Sequence, residues 1–388
     1  MKRHAENRFD VLIIGAGPSG ATAAFLIAGE GYRVGIIEKK RFPRFKLCGG
    51  LLTQKTIELL EDIFKTPLRK LKSEGVIHYH SSYYGFGDCN GNFLHGKLVF
   101  PFHFVNREIY DAYWLDRAVK AGVMVFFEES AEHIDIASGE ITTRTGRRFA
   151  GRYIIAADGV FSRVQSLLHR HGLLKCRRRQ NIAAALELLV SRDNVSAPSD
   201  YPCIYSGYVS HGYAWSFPGP EYQVVGICSL KQKAPRALHS RFARFLRDQG
   251  ISLKKVANPR GHAFPYGNYL CEAGYKNILL VGDAGGFADP ILGEGIYYAH
   301  RSAQLAADAI RQSWRNPFGA GARYSRLLKE SLITELRYLL IGRRFLFALS
   351  VPRQSKLLMF MLKHIPRKIE EAVQRKRSIK LLLPNKRD

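Results

Sequence analysis

The chain has 388 residues, 46% of them hydrophobic, with 59 Lys and Arg against 33 Asp and Glu, a formal charge of +26. That length supports a sizeable core and two or three structural units, while the charge favours an anionic partner: nucleic acid, an acidic membrane surface or a phosphorylated substrate. Six scattered cysteines with no C-x-x-C pair argue against a metal site or a disulfide framework and suit a reducing compartment.

The N-terminus has no apolar signal-peptide core, and no stretch approaches the roughly 20 apolar residues of a spanning helix. The best candidate, LLIGRRFLFALSV, carries Arg343 and Arg344 in its middle. A cytoplasmic protein is expected, with peripheral attachment at the inner face of the cell membrane left open. No helix-turn-helix, zinc or RNP-like signature accompanies the charge, so nucleic acid is not an expected partner.

In chain order, FDVLIIGAGPSGATAAFLIAGEGYRVGIIEKK reads as strand, tight turn, helix and strand. Val11 to Ile14 form the continuous apolar run of a strand buried on both faces of a parallel sheet. The helix covers about Ser19 to Ala28, and the second strand ends at Glu38. The turn holds G-x-G-x-x-G at Gly15, Gly17 and Gly20. Gly15 allows the tight turn, Gly17 admits a pyrophosphate to the backbone, and Gly20 permits close helix–strand packing, with Ser19 at the helix start. Glu38 stands where a carboxylate accepts hydrogen bonds from ribose hydroxyls. An acid there disfavours a 2′-phosphate, so NAD or FAD is expected rather than NADP.

Next comes RFPRFKLCGG, Arg41 to Gly50, whose basic residues could receive phosphate groups or merely face solvent. Residues 76–104 contain short β-like pieces, and a helix follows at about 107–121. VMVFFEESAEHIDI, EITTRTG and RRFAGRYIIAADG read as strands, the last returning to the parallel sheet. Residues 181–265 are rich in alternating β patterns. From NILLVGDAGG the pattern is strand, turn and a long helix, and 315–388 reads as helical and basic. The expected fold is therefore α/β. A discontinuous dinucleotide-binding unit (1–75, 105–175 and 272–315) carries a β-rich substrate unit (76–104 and 176–271) and a basic helical C-terminal region (316–388).

A second glycine cluster lies in LLVGDAGGFADPILGEGI. Asp283 follows a buried strand and can hydrogen-bond a polyol chain. Gly285, Gly286, Gly293 and Gly295 let backbone approach a flat ring just before the helix that opens at Ile296, whose N-terminus stabilises negative charge.

These motifs resemble the FAD-dependent superfamily typified by p-hydroxybenzoate hydroxylase. The resemblance implies that the G-x-G-x-x-G turn binds the ADP half of FAD, and that Arg107, Asp158, Gly159 and Asp283 contact the cofactor. Two segments are similar to elements of the geranylgeranyl reductases. RFPRFKLCGG matches their P-x-x-x-x-C-G-G element at Pro43, Cys48, Gly49 and Gly50. GYAWSFPGPEYQVVGI matches their Y-x-W-x-F-P…V-G element at Tyr213, Trp215, Phe217, Pro218, Val225 and Gly226. The resemblance implies saturation of C=C bonds in a polyprenyl lipid or prenyl diphosphate by reduced FAD. Electrons would come from an external donor, ferredoxin or a nicotinamide cofactor, since no second G-x-G-x-x-G follows a strand.

An isolated alkene lacks a polarising carbonyl, so its reduction needs a strong hydride donor, a nearby proton and a dry channel. Tyr213, Trp215 and Phe217 share one strand face and either line that channel or pack the core. The proton would come from Cys48, Tyr213 or ordered water; Trp215 is grouped with the two side chains as a catalytic candidate, and Cys48, Gly49 and Gly50 are also expected at the flavin. A flavin monooxygenase or halogenase is the alternative enzyme; a basic lipid-binding protein with a purely structural FAD is the non-enzymatic one. Residues 341–388 hold 13 Lys or Arg against 3 Asp or Glu with apolar residues interleaved, a pattern suited to an anionic bilayer surface or to a solvated helical cap.

Overall fold

The computed structural model describes residues 7–174, 181–230, 235–252 and 256–374, so Cys176 and the basic residues beyond Gln374 lie outside the described residues. Two eight-stranded sheets organise the chain. In the first, the strands run Gly274–Tyr275, Ile278–Leu280, Arg148–Ala156, Arg8–Ile14, Val34–Glu38 and Met124–Phe127 across the sheet. From Ile278–Leu280 to Met124–Phe127 the neighbours are parallel. A short hairpin, Ala131–Ile134 with Glu140–Thr143, joins antiparallel beside Arg148–Ala156. The stretch expected as one strand at 123–136 is thus two, separated at Glu128, which takes a left-handed φ of 63°.

Val11, Leu12, Ile13, Tyr153, Ile154, Ile155 and Ile36 are all buried, as the all-apolar strands required. Helices Pro18–Ala28, Arg107–Lys120 and Ile296–Gln312 pack together beside this sheet. A chain of buried hydrogen bonds ties them: the Thr22 hydroxyl to His300 Nδ1 at 2.6 Å, and His300 Nε2 to the Tyr110 hydroxyl at 2.7 Å. Tyr110 lies one helical turn beyond Arg107, so this chain also fixes the arginine.

The second sheet runs Arg260–Pro265, Ile182–Ser191, Tyr222–Ser229, Gly212–Pro218, Cys203–Ser206, Tyr79–Asp88, Phe93–Phe104 and Leu51–Leu52. All its pairings are antiparallel except that of Cys203–Ser206 with Tyr79–Asp88. Alternation sorts its side chains onto two faces. Leu186, Leu188, Ala214, Val225 and Ile227 form one core with Leu238, Phe242, Phe245 and Leu246. The latter four come from a helix, Pro235–Asp248, in a region expected to be β-rich. Their 3,4-spaced apolar pattern is helical. Ala185, Trp215 and Cys228, with Tyr213, Phe217 and Phe264 packed beside them, occupy the opposite face.

We propose that the chain divides as its sheets do, into the discontinuous first unit and the inserted second one, with one crossing. Leu51–Leu52, inside the segment assigned to the first unit, pairs with His103 and Phe104 of the second sheet. Between residues 317 and 374 the chain is helical: Ala320–Leu328, a π-helical turn Lys329–Ile333, Thr334–Ala348, Val351–His364 and Pro366–Gln374. The last of these returns to the second sheet, where Glu370 Oε1 accepts from the N–H groups of Val99 (2.6 Å) and Phe100 (2.9 Å).

Burial pushes His300 down to about 3, helped by Arg107, so the folded protein keeps it neutral. The unfolded chain protonates a histidine below about 6.5, and the native state therefore loses this contribution as pH falls from 6.5 towards 3. Replacing it by His300→Phe leaves two buried hydroxyls without their partner. We expect a loss of about 2–4 kcal/mol in denaturant unfolding at pH 7, shrinking towards pH 4.

Candidate active site

The glycine turn is closed by steric necessity. Gly15 has φ +101°, and a Cβ there would lie 2.5 Å from the Ala157 carbonyl oxygen; one on Gly20 would lie 1.9 Å from the Gly15 carbonyl oxygen. Gly17 is the residue before helix Pro18–Ala28, which begins without a side-chain cap. Its first N–H groups are thereby free for an anion. Buried Glu38 braces the turn, accepting from Ala16 N–H through Oε2 at 2.8 Å and from Lys40 N–H through Oε1 at 2.9 Å. Each oxygen keeps a further acceptor position. Ser19 is buried, with its hydroxyl 2.8 Å from the Cβ position of Gly282, so the two glycine motifs meet there.

Asp158 and Gly159 follow the central strand. Asp158 Oδ2 accepts from Arg163 N–H at 2.7 Å, while its Oδ1 is buried without a partner; burial raises its pKa above the ordinary carboxylate value. Gly159 has φ +84°. Arg107 is buried in a bidentate pair with Asp111, at 2.8 and 2.9 Å, and Arg44 approaches the same carboxylate at 3.2 Å. Burial alone would weaken the Arg107 charge, but Asp111 and the Cys48 sulfur beside it more than compensate.

The Arg41–Gly50 segment crosses from the first sheet to the second. Cys48 is half-buried; its N–H donates to Glu187 Oε1 at 3.1 Å, and its sulfur accepts from Gly50 N–H at 3.4 Å. Lys46 is in close contact with His262 Nε2. Burial lowers Lys46, opposed by Asp283, and lowers His262 to about 3 with help from Lys46, Arg107 and Lys39. A Cβ on Gly49 would lie 2.6 Å from the Phe217 ring and 3.5 Å from Trp215 Nε1. Gly50 has φ +70° and lies against the Val105 carbonyl. Arg41 instead pairs with Glu128 in solvent.

One face of the second sheet covers this segment. Glu187, Gly226 and Trp215 stand in register on three adjacent strands. The Trp215 ring lies over Gly226, 2.2 Å from where a Cβ would be. Tyr213, Trp215 and Phe217 follow one another with ring centroids 5.8 and 6.3 Å apart. The Tyr213 hydroxyl donates to the Leu292 carbonyl, and burial raises that phenol well above its usual pKa. Pro218 ends the strand and is buried.

The second glycine cluster completes the ring of segments. Asp283 Oδ1 lies 3.7 Å from the Cβ position of Gly295, the uncapped start of helix Ile296–Gln312. Gly293, at φ +70°, lies against the Phe264 ring. Between these two glycines, Glu294 is held by buried Lys55 at 2.9 Å and by the Thr53 hydroxyl at 2.7 Å. Burial would lower Lys55, but Glu294, Glu335 and Asp289 hold it charged.

These segments fit FAD: two uncapped helix starts, Glu38 at the turn, and unpartnered buried polar atoms on Asp158, Glu187 and Trp215. Glu187, His262 and the Lys55–Glu294 pair had no place in the sequence reading. Glu187 was visible as a lone acid in the apolar strand IAAALELLVS. The Lys55–Glu294 contact had no sequence signal, being made across 239 positions of chain.

A family model described as an FAD binding domain matches residues 8–200. The digeranylgeranylglycerophospholipid reductase of Methanocella arvoryzae is 27% identical, over 79% of this chain and 78% of its own. The geranylgeranyl diphosphate reductase of Rhodobacter capsulatus is 26% identical, over 78% and 75%. Among solved structures, a geranylgeranyl bacteriochlorophyll reductase-like protein from Thermoplasma acidophilum superposes with a TM-score of 0.80 at 22% identity, covering 97% and 98% of the two chains. A variant of the halogenase PltM in complex with FAD gives 0.70 at 17% identity, covering 95% and 86%. The fold and site thus define an FAD-dependent oxidoreductase with the p-hydroxybenzoate hydroxylase-like architecture. Within that class, the chain is similar to the geranylgeranyl reductases.

Burial pushes Glu187 up to about 7, opposed by the Cys48 N–H and by Arg107. The unfolded chain releases this proton near 4.5, so the native state loses stability as pH rises from 4.5 to 7. Glu187→Gln removes the titration and keeps an acceptor for Cys48 N–H. Its stability relative to the unchanged protein should rise by up to about 3 kcal/mol between pH 4.5 and 8. Urea unfolding at both ends of that window checks this; a constant difference would show that Glu187 titrates as an ordinary carboxylate.

Proposed function

We propose that the protein saturates isolated C=C bonds of a polyprenyl lipid or prenyl diphosphate. The observation that carries this reading is the Tyr213–Trp215–Phe217 wall pressed onto Gly49, beside the Cys48 thiol. An extended hydrocarbon has no polar group to fix it, so it must be oriented by shape against a rigid apolar surface. Three aromatic rings on one strand, with Gly226 making room for the middle one, form such a surface. The names of the two reductase relatives support the same substrate class.

In this reading Gly15, Gly17, Ser19, Gly20 and Glu38 hold the ADP half of FAD, while Arg107, Asp158, Gly159, Asp283, Gly293, Gly295 and Ile296 surround the rest. FAD bound there, with electrons from ferredoxin or a nicotinamide cofactor, would supply hydride chemistry. Cys48 donates the proton from its sulfur to the other alkene carbon. Arg107 and Glu187 fix the position of the thiol, and the aromatic wall keeps water from the reacting carbons. Tyr213, whose hydroxyl is committed to Leu292, orients the wall.

The fold similarity to a halogenase supports a second reading, oxygen-dependent chemistry on an aromatic substrate. Chemically reduced holoenzyme incubated with geranylgeranyl diphosphate without oxygen separates the two. The expected result is a mass gain of one H₂ per saturated bond; a strict need for oxygen overturns the reductase reading. Cys48→Ala is expected to keep its flavin and to lose about 10²-fold or more in turnover. Unchanged turnover would remove Cys48 from proton transfer.

A further inference from the structure

A cleft of about 890 Å³ opens on the outer side of the cofactor-binding turn. One wall is the segment from Tyr269 to Glu272, with Leu270 N–H donating to the Gly285 carbonyl at 2.9 Å. The other wall is helical, running from Ser325 through the π-helical turn Lys329–Ile333 to Arg344. Arg326, Lys329, Arg337 and Arg344 all line the cleft, and Glu272 is the only acid among its lining residues. Among the described residues, none of these four cations makes an ion pair or a side-chain hydrogen bond. Other arginines in the molecule do so readily, as Arg107, Arg192 and Arg311 show.

The surface around this charge is apolar. Ile333 and Leu340 line the cleft, Ile341 is 53% exposed at its rim, and Phe345, one turn further along the helix, is 64% exposed. Four unpaired cations around one opening repel one another, and an anion placed among them relieves that repulsion. A soluble phosphate would satisfy the cations and leave Ile341 and Phe345 in water. A bilayer bearing acidic headgroups satisfies both: the headgroup phosphate enters the cleft and the two apolar side chains reach the acyl boundary.

We propose that this cleft is a docking site for the anionic phospholipids of a bilayer surface. The helix that carries it is anchored inward by Arg343, which donates to the Tyr266 carbonyl and, at 2.9 Å, to Asn181 Oδ1. The docked face is thereby fixed to the second sheet. The proposal does not depend on the prenyl substrate and would hold for any activity of this flavoprotein.

The test is co-sedimentation of the full FAD-loaded chain with phosphatidylcholine vesicles, with and without phosphatidylglycerol. Binding that requires phosphatidylglycerol and falls as salt is raised is expected. The double variant Arg337→Glu, Arg344→Glu should bind about 100-fold or more weakly, with flavin content and the flavin spectrum unchanged as controls of folding. Ile341→Asp should also weaken binding while leaving the cleft cations in place. Equal binding to both vesicle types overturns the proposal. So does undiminished binding by the double variant combined with loss of binding when Arg375, Lys376 and Arg377 are replaced by Ala, which would place the contact in the terminal segment. Thermal protection by inorganic phosphate without any vesicle binding overturns it as well, in favour of a soluble anion.

Discussion

The structure depends on how closely the face of the second sheet lies against the loops of the first unit. Two glycines set that distance, Gly49 under Phe217 and Gly293 against Phe264, while Gly226 beneath Trp215 lets that ring lie on its own sheet. None has room for a methyl group, so the aromatic rings sit directly on backbone. Such contact excludes water and concentrates electrostatic interactions in the space between the sheets. That is why burial shifts Glu187, Lys46 and His262 towards their neutral forms there, while dedicated carboxylates offset the burial of Arg107 and Lys55.

Much of this was legible in the sequence because the signals are local. The G-x-G-x-x-G turn, the acid at Glu38 and the apolar strands follow from steric and hydrogen-bonding rules acting within a few residues. The alternating register of Tyr213, Trp215 and Phe217 on one face follows from strand geometry alone. Helix Pro235–Asp248 was hidden by its surroundings, since the flanking segments are all β; its own spacing of Leu238, Phe242, Phe245 and Leu246 is helical. Glu187 was read as part of a strand, and only the fold reveals that it meets Cys48 across the interface. Lys55 and Glu294 each look like surface residues until the chain brings them together.

The charge of the molecule divides similarly. Some cations are buried against carboxylates at the candidate site, as Arg107 and Lys55 are. Others, such as Arg311 with Glu30 and Asp308, form exposed ion pairs that add little to stability. The C-terminal helices differ from both groups, because cations without partners and exposed apolar residues share one surface there. Their inward side is ordinary protein core, with Leu332, Leu336 and Leu339 buried. The same helices thus complete the fold on one side and expose charge and apolar surface together on the other.

The segment from Arg41 to Gly50 is fastened at both ends to different sheets, at Glu38 to the first and at Leu51 to the second. Cys48 therefore sits in a span between the two sheets and is held to the second by its bond to Glu187. Its last residues are held one after another: Cys48 N–H donates to Glu187, Gly50 N–H to the Cys48 sulfur, and Leu51 pairs with Phe104. The span that joins the two sheets is thus also the one that places the thiol on which the proposed proton transfer rests.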